Sequence, residues 1–222
     1  MPHIARIVAE GLPHHITQRG NRRQKVFFSE GDYQAYLDLL RLHSKLFSLD
    51  IESYCLMPNH VHLILVPHKK DDLAIAVGRT HQKYTSIINK RENWRGYLWQ
   101  GRFSSFILDE KYLLAATRYI LLNPVRAGIV KNPWDYKWSS VRHHLGLEKS
   151  PIITGSLLEN MIDDWKAFLS ADVEAHDEKL IKLHERTGRP LGADSFVEKL
   201  EKTLSIKLKK DKPGPKPKGG GN

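Results

Sequence analysis

The chain has a single cysteine, Cys55, among its 222 residues. One cysteine excludes an internal disulfide and, without a CxxC partner, a cysteine-based zinc finger, and it fits a reducing cytoplasm. No apolar run approaches the roughly 20 residues that a membrane-spanning helix needs. The N-terminal residues lack the long apolar stretch of a signal peptide. We therefore expect a cytoplasmic protein that does not cross a membrane.

Acidic residues are also scarce relative to basic ones. The chain has 25 Asp and Glu against 35 Lys and Arg, which gives a net charge of +10. Half of this excess lies in residues 203–222, where six lysines accompany one aspartate. Such an excess is typical of a protein that meets a polyanion, most often a nucleic acid. The alternative is a solubilising tail that has no partner. A hydrophobic content of 41% indicates a globular protein.

The most informative segment is residues 57–66, with the sequence MPNHVHLILV. Its apolar run predicts a buried strand, in which alternate side chains point to opposite faces. His60 and His62 then lie side by side on one face. The opposite face, which we expect to be turned toward a core, consists of Val61, Leu63 and Leu65. Two converging imidazoles suit a divalent metal. The alternative is a pair of ordinary strand histidines that hydrogen-bond their neighbours.

Hydrophobic periodicity and turn residues predict an α+β fold. Strands are expected at 14–19, 51–56, 60–66 and 97–108, and helices at 32–48, from 71 onward and at 110–122. The resulting order is β-α-β-β-α-β-α. This order is typical of a ferredoxin-like antiparallel sheet with helices packed on one face.

The character of the chain changes after Ser140. We expect one domain over residues 1–148 and a small helical extension over 149–205. The extension is predicted to contain helices at 156–170, 172–187 and 194–204, and we interpret it as DNA-binding. Residues 206–222 are rich in Lys, Pro and Gly and have no core-forming pattern, which predicts a disordered tail.

The predicted third helix carries a second candidate group. Tyr119 and Asn123 are four residues apart and therefore share one helical face, with Tyr112 seven residues before Tyr119 on the same face. The alternative is a half-buried core tyrosine and an asparagine that ends the helix before Pro124.

Together these segments resemble a known family. Residues 57–62 (MPNHVH) followed by 118–130 (RYILLNPVRAGIV) are similar to the single-tyrosine transposases of the HUH endonuclease superfamily, and closest to its REP-associated branch. Further matches occur at 15–21, at 99–100 and at 135–140. The resemblance covers about residues 1–145.

The resemblance implies a specific site and reaction. His60, His62 and Asn123 would bind a divalent metal, Mg²⁺ or Mn²⁺, and Tyr119 would be the nucleophile. The enzyme would be an endonuclease and strand transferase that acts on hairpin-forming single-stranded DNA repeats through a 5′-phosphotyrosine intermediate. Tyr112 is the reserve nucleophile. We expect a monomer associated with the nucleoid.

Basic residues near these motifs are candidates for DNA contacts. We assign phosphate contacts to a loop after the first strand and to one arginine among aromatic residues, namely Arg19, Asn21, Arg22, Arg23, Lys25 and Arg102. Aromatic residues interleaved with arginines, as at 94–103, are typical of stacking on unpaired bases. Two other functions stay open: a nucleic-acid-binding module without chemistry, and a metal-dependent phosphodiester hydrolase in which Tyr119 is structural.

Overall fold

A computed structural model describes residues 6–209 of the chain. Its centre is a four-stranded antiparallel sheet with the strand order β2-β3-β1-β4. The strands are β1 (His14–Arg19), β2 (Leu49–Met57), β3 (His60–Pro67) and β4 (Ser104–Ile107). The expected α+β class and ferredoxin-like element order are confirmed.

Helices connect and cover the strands. They are α1 (Glu30–Leu46), α2 (Asp72–Glu92), α3 (Glu110–Leu121), α4 (Asn123–Arg126), α5 (Val141–His144), α6 (Leu157–Met161), α7 (Trp165–Ser170), α8 (Ala175–Thr187) and α9 (Asp194–Leu204). A 3-10 turn, Asn21–Arg23, follows β1 and another, Pro133–Asp135, precedes α5. In the part of the chain that the structure describes, no helix is long and apolar enough to cross a membrane.

Both faces of the sheet are covered, so the prediction of helices on one face is wrong. Side chains of β3 alternate between two hydrophobic clusters. Leu63 packs with Leu40 of α1 and Leu73 of α2 on what we call the apolar face. Ile64 packs instead with Ile120 of α3 on the face that bears His60 and His62, which we call the histidine face. The second layer exists because α3 is amphipathic and its apolar stripe needs a surface to cover.

The predicted strand 97–108 is much shorter in the structure. Only Ser104–Ile107 belong to the sheet, while Trp99 forms an isolated bridge to Gly20. Gly101 interrupts the segment because its φ of 67° is incompatible with an extended strand. The predicted helix 156–170 is likewise broken in two. The Asp164 side chain accepts a hydrogen bond from the Ala167 N–H at 2.9 Å and so caps a new helix, α7.

The residues after 148 share a core with the sheet. Trp165 and Ile181 belong to the same buried cluster as Phe106 of β4. Leu191 bridges Leu108 in parallel, and its N–H donates to the Ile107 carbonyl at 2.8 Å. The chain therefore returns to the outer edge of β4 after α8.

The first residues of the predicted tail, 206–209, are packed against the fold. Leu208 is 3% exposed and packs with Leu200 of α9 and with Ile7. Its N–H donates to the Glu201 carboxylate at 2.6 Å, which fixes the segment after α9. The rest of the predicted tail, 210–222, lies outside the described residues.

Candidate active site

His60 and His62 lie on the histidine face at the start of β3. Their ring centroids are 4.9 Å apart and the rings are nearly perpendicular. Their strand follows a tight connection at residues 58–59, and β1 pairs with it so that Arg19 is opposite His60 and Thr17 opposite His62. The alternation of β3 therefore delivers both imidazoles to one place, as the sequence predicts.

Hydrogen bonds orient both rings. His60 Nδ1 lies 2.5 Å from Asn59 Oδ1, which can only accept, so Nδ1 carries the proton and Nε2 keeps its lone pair. Asn123 Nδ2 donates to His62 Nε2 at 3.1 Å. His62 Nδ1 therefore carries the proton and donates to His15 Nε2 at 3.0 Å. In both rings Nε2 is the unprotonated nitrogen, and at His62 it accepts the Asn123 N–H.

Both histidines are held in the neutral form that binds metals. Burial, together with the nearby Arg19, lowers the pKa of His60 to about 4. Burial lowers the pKa of His62 well below its ordinary value, with further contributions from His60, His15 and the cations Arg19 and Arg126. At neutral pH neither ring has to lose a proton before it can act as a ligand.

Tyr119 faces these rings from α3. Its ring centroid lies 5.8 Å from that of His62 at an interplanar angle of 89°. The Arg126 guanidinium lies over the tyrosine ring, 4.8 Å from its centroid, and is paired with Glu178 of α8. Burial raises the pKa of Tyr119 to about 12, with Glu185 adding to the rise and Arg126 opposing it. The phenol is therefore neutral in the site as it stands.

Asn123 begins α4, one turn after Tyr119. Asp109 starts α3 by accepting the Tyr112 N–H at 2.9 Å, and Pro124 follows Asn123 as the second residue of the next short helix. This arrangement carries Tyr119 and Asn123 on the side of α3–α4 that covers His62. Tyr112 is further from the histidines by two turns, and its ring contact is with Lys111. Arg118 points away and donates to the Phe168 carbonyl at 2.9 Å.

Glu185 of α8 also reaches the site, and sequence reasoning missed it. Its Oε1 lies 3.8 Å from His62 Nδ1 and 4.0 Å from His15 Nε2. Burial raises the pKa of Glu185 to about 7 despite the opposing effects of Arg19 and Lys182. One ligand atom from each of His15, His62 and Glu185 lies within 4.8 Å of the others, which makes this cluster a possible metal site.

A sequence signal for Glu185 exists. Ile181 is fully buried, and Glu185 lies four residues later on the same face of α8. A carboxylate that continues the buried stripe of an amphipathic helix is unusual and indicates a polar partner in the core. The signal for His15 is of another kind: it lies in the predicted strand 14–19 and in the segment 15–21 that contributes to the family resemblance.

The predicted DNA-contacting loop lies next to the histidines. The Gly20 N–H donates to the Asn59 carbonyl at 2.8 Å, and Asn59 Nδ2 donates to the Arg23 carbonyl at 3.3 Å. A Cβ at residue 20 would lie 2.3 Å from the Gln24 carbonyl oxygen, so this close approach requires glycine. The predicted cations are exposed, namely Arg19, Arg22, Arg23, Lys25 and Arg102, and Asn21 is half-buried.

Comparison with known proteins gives a consistent result. The family model "Transposase IS200 like" matches residues 9–123. A protein of Haemophilus influenzae named "Putative REP-associated tyrosine transposase" is 31% identical over 108 residues, which are 44% of this chain. The match spans 61% of that curated relative's length.

A solved structure of a REP-associated tyrosine transposase bound to a REP hairpin has the same fold. Its TM-score is 0.58 at 22% identity, over 70% of this chain and 92% of the other. The match at this level of identity establishes the fold alone. The resemblance stated from the sequence motifs is thereby confirmed at the level of the family.

Proposed function

Because this chain belongs to the IS200-like transposase family, we propose that it cuts and rejoins single-stranded DNA with Tyr119 as the nucleophile. The phenol oxygen attacks a phosphorus atom, the bond from phosphorus to the 3′ oxygen breaks, and a free 3′-hydroxyl leaves. The phenol proton goes to water, and the departing 3′ oxygen takes a proton from water, so the step as a whole neither gains nor loses a proton. The product is a 5′-phosphotyrosine, which retains the energy of the broken ester for rejoining.

One observation carries this proposal. Tyr119 and Asn123, which are one turn apart, both contact His62, at 5.8 Å between ring centroids and 3.1 Å between nitrogens. A binding module has no need for a phenol, two imidazoles and an amide to converge. A hydrolase would need only the imidazoles and a ligand, so the position of Tyr119 favours the transferase.

The chemistry of the donor set fits a divalent metal. His60 and His62 each offer Nε2, and the Asn123 amide lies beside them and has an oxygen to offer. We propose that these three residues bind Mg²⁺ or Mn²⁺. Such an ion would polarise a phosphate oxygen and stabilise the negative charge that develops there. The family implies a divalent metal, and the His15–His62–Glu185 cluster is the competing set of ligands.

Glu185 and His15 fit a positioning role better than a ligand role. Both approach His62 on the side of Nδ1, whereas Nε2 faces Asn123. Groups that engage the second nitrogen of a metal-binding histidine fix its tautomer and raise its basicity. We therefore propose that they hold His62 in place and do not themselves bind the metal.

Arg126 is the cation best placed to help Tyr119. Ionising a phenol with a pKa near 12 costs about 7 kcal/mol at pH 7, against about 4 for a free tyrosine. This cost already includes the effect of the guanidinium over the ring, which opposes the rise in the pKa because it stabilises the phenolate. Glu178 pairs with the same guanidinium. A substrate phosphate that displaced Glu178 would leave Arg126 between the phosphate and the Tyr119 phenolate.

The substrate proposal follows from the two relatives, one named for REP association and the other bound to a REP hairpin. We propose that this chain acts on hairpin-forming single-stranded repeats and therefore works at the nucleoid, in the cytoplasm. The exposed cations at 19–25 border the histidines and would contact the DNA backbone. We also propose a monomer, because Tyr119 reaches the histidines of its own chain.

The test uses a labelled single-stranded hairpin incubated with the full chain and Mg²⁺ or Mn²⁺. We expect a covalent protein–DNA adduct in denaturing gels that EDTA prevents and that Tyr119→Phe abolishes. Tyr112→Phe is the matched control on the same helix and should retain the adduct. Cleavage that persists in Tyr119→Phe would support the hydrolase, and binding without cleavage would support the module.

A further inference from the structure

The loop of residues 20–26, between β1 and α1, is hydrogen-bonded at both ends to the turn that leads into β3. At one end the Gly20 N–H donates to the Asn59 carbonyl at 2.8 Å, and at the other the Val26 N–H donates to the Pro58 carbonyl at 2.8 Å. A shift of the loop would therefore displace this turn as well. We call the segment the arginine loop, after the two arginines at its exposed tip.

The tip of the arginine loop is strained. Arg22 and Arg23 have φ angles of 52° and 63°, in the left-handed region that residues other than glycine rarely adopt. Such a conformation costs free energy and persists only where its surroundings hold it. Both side chains are exposed, so burial does not hold them. A ligand that binds the two guanidiniums would help to hold the tip, and phosphate is an anion whose geometry matches the guanidinium group.

Asn59 connects this strained tip to His60. Its Nδ2 donates to the Arg23 carbonyl at 3.3 Å, and its Oδ1 accepts the His60 Nδ1 proton at 2.5 Å. One planar amide therefore contacts the loop through its donor and the imidazole through its acceptor. Because the two atoms belong to the same rigid group, a rotation of the amide away from Arg23 would also move the acceptor away from His60.

The acceptor determines which nitrogen of His60 carries the proton. A neutral imidazole has one protonated nitrogen, and a metal binds to the other. While Asn59 holds the proton on Nδ1, Nε2 keeps the lone pair that the proposed metal site needs. Without this acceptor the proton is free to move to Nε2 and the ring is free to turn, which weakens metal binding.

We propose that Asn59 is a positioning residue through which DNA bound at the arginine loop strengthens metal binding at His60. This inference rests on the proposed function for its two ligands, and it adds a coupling between them that the proposed reaction does not require. A DNA phosphate holds the tip of the loop, the tip holds the Asn59 amide, and the amide holds the His60 tautomer. By thermodynamic linkage the metal strengthens DNA binding by the same factor. The metal site is therefore complete only when substrate is present.

The test measures the coupling in the full chain carrying Tyr119→Phe, so that no DNA is cut. Mn²⁺ is titrated with and without a single-stranded hairpin that has dT flanks, and its binding is followed through the paramagnetic broadening of the His60 imidazole signals. This signal distinguishes an ion at His60 from ions bound to the DNA. We expect the hairpin to raise the Mn²⁺ affinity about ten-fold. Fluorescence anisotropy of a labelled hairpin should give the same factor for the effect of Mn²⁺ on DNA binding.

Two substitutions of Asn59 separate its two contacts. Asn59→Ala removes both, whereas Asn59→Asp keeps the acceptor for His60 and removes the donor to the Arg23 carbonyl. In the metal-free chain, the imidazole ¹⁵N shifts of His60 should show the proton on Nδ1 in the parent and in Asn59→Asp, and a loss of this preference in Asn59→Ala. Both variants should lose most of the ten-fold increase, because neither is linked to the loop.

Direct attraction between the ion and the DNA phosphates is present in every variant, so the increase that remains in Asn59→Ala measures it. The charge added in Asn59→Asp alters the Mn²⁺ affinity with and without DNA alike, and it largely cancels from the ratio. Asn160→Ala is the matched control, because Asn160 is an exposed asparagine of α6, outside the loop. It should keep both the tautomer of His60 and the full increase.

The coupling is overturned by a ratio near one in the parent, by a full increase in either Asn59 variant, or by an unchanged His60 tautomer in Asn59→Ala. An absence of Mn²⁺ broadening at His60 overturns it together with the proposed metal site. If the coupling fails but the chain with Tyr119 still forms the covalent adduct, the proposed function stands without it. A coupling without any adduct supports the role of Asn59 and contradicts the proposed reaction.

Discussion

The two faces of the sheet are built on different principles. On the apolar face, Leu63 and Leu65 are fully buried among the side chains of α1 and α2. On the histidine face, His15 of β1 and His62 of β3 are buried, and Glu185 of α8 lies half-buried beside them. His15 Nδ1 and Glu185 Oε1 have no hydrogen-bond partner among the described residues. The apolar face stabilises the fold because it buries apolar side chains. The histidine face buries polar groups, which lowers the stability of the fold but brings together side chains that can bind a metal or react. Strand β3 contributes to both faces because its successive side chains point to opposite sides of the sheet.

The largest effect on stability is expected from Leu63→Ala on the apolar face. Leu63 is fully buried, and truncation of such a leucine costs about 2–5 kcal/mol in the free energy of unfolding. Chemical denaturation monitored by tryptophan fluorescence measures it. Leu46→Ala, at a leucine that is 62% exposed, is the control and should change little. A comparable loss in both variants would mean that the apolar face does not carry the fold.

A smaller effect is expected from Asp32→Asn, where α1 meets α2. Burial by itself raises the pKa of Asp32, but hydrogen bonds from Arg91 and from the Phe28 and Ser29 N–H groups outweigh it and hold the pKa below 3.8. A lowered folded-state pKa stabilises the fold above the ordinary value, and this contribution is lost as the pH falls through the lowered pKa. We expect Asp32→Asn to cost about 2 kcal/mol at pH 7.

Denaturation between pH 7 and pH 2 measures this contribution. The difference between the parent chain and Asp32→Asn should be constant above about pH 5 and should shrink as the pH falls below 4. Asp38→Asn on the exposed side of α1 is the control and should show no such dependence. A difference that persists unchanged at pH 2 would exclude an ionic origin.

The smallest effect is expected from Glu185→Gln on the histidine face. If Glu185 positions His62, its loss should weaken Mn²⁺ binding by roughly ten-fold, as removal of such outer partners does. In the metal-free chain, the imidazole ¹⁵N shifts of His62 should also change, which a purely structural role would not produce. Calorimetry and NMR measure the two quantities.

Glu174→Gln, at the exposed start of α8, is the control for the same charge change. It should leave both the affinity and the His62 shifts as they are. An unchanged affinity in Glu185→Gln would remove Glu185 from the site, whatever its distance from His62.

The fold was predictable where its signals are local. The alternation at 60–66 gave both the strand and its two faces, and the bounds of β1 at residues 14 and 19 agree with the structure. The layer of helices on the histidine face was not predictable from periodicity alone. An amphipathic helix shows that it has an apolar stripe, but not which surface the stripe covers.

The candidate active site likewise contains residues that local sequence patterns predict and residues that they do not. His60 and His62 are neighbours in sequence, so their convergence follows from strand geometry. Tyr119 and Asn123 are neighbours on a helix, and only the family resemblance placed that helix over the histidines. The roles of these four residues stay predictions until the adduct is tested. Glu185 and Arg126 come from segments whose docking depends on tertiary packing, which no local pattern encodes.

Because the chain returns to β4 after α8, the residues after 148 cannot be removed without exposing that strand. Leu191 supplies hydrogen bonds on both sides of its bridge to Leu108, and α8 leads into it. A stop codon or a protease cut near residue 148 would strip these partners from the outer strand, uncover Phe106 and take Glu185 away. The remainder would present an open strand edge, the kind of surface at which chains aggregate. Residues 9–123, which match the family model, are therefore fewer than the residues that we expect a stably folded fragment to need.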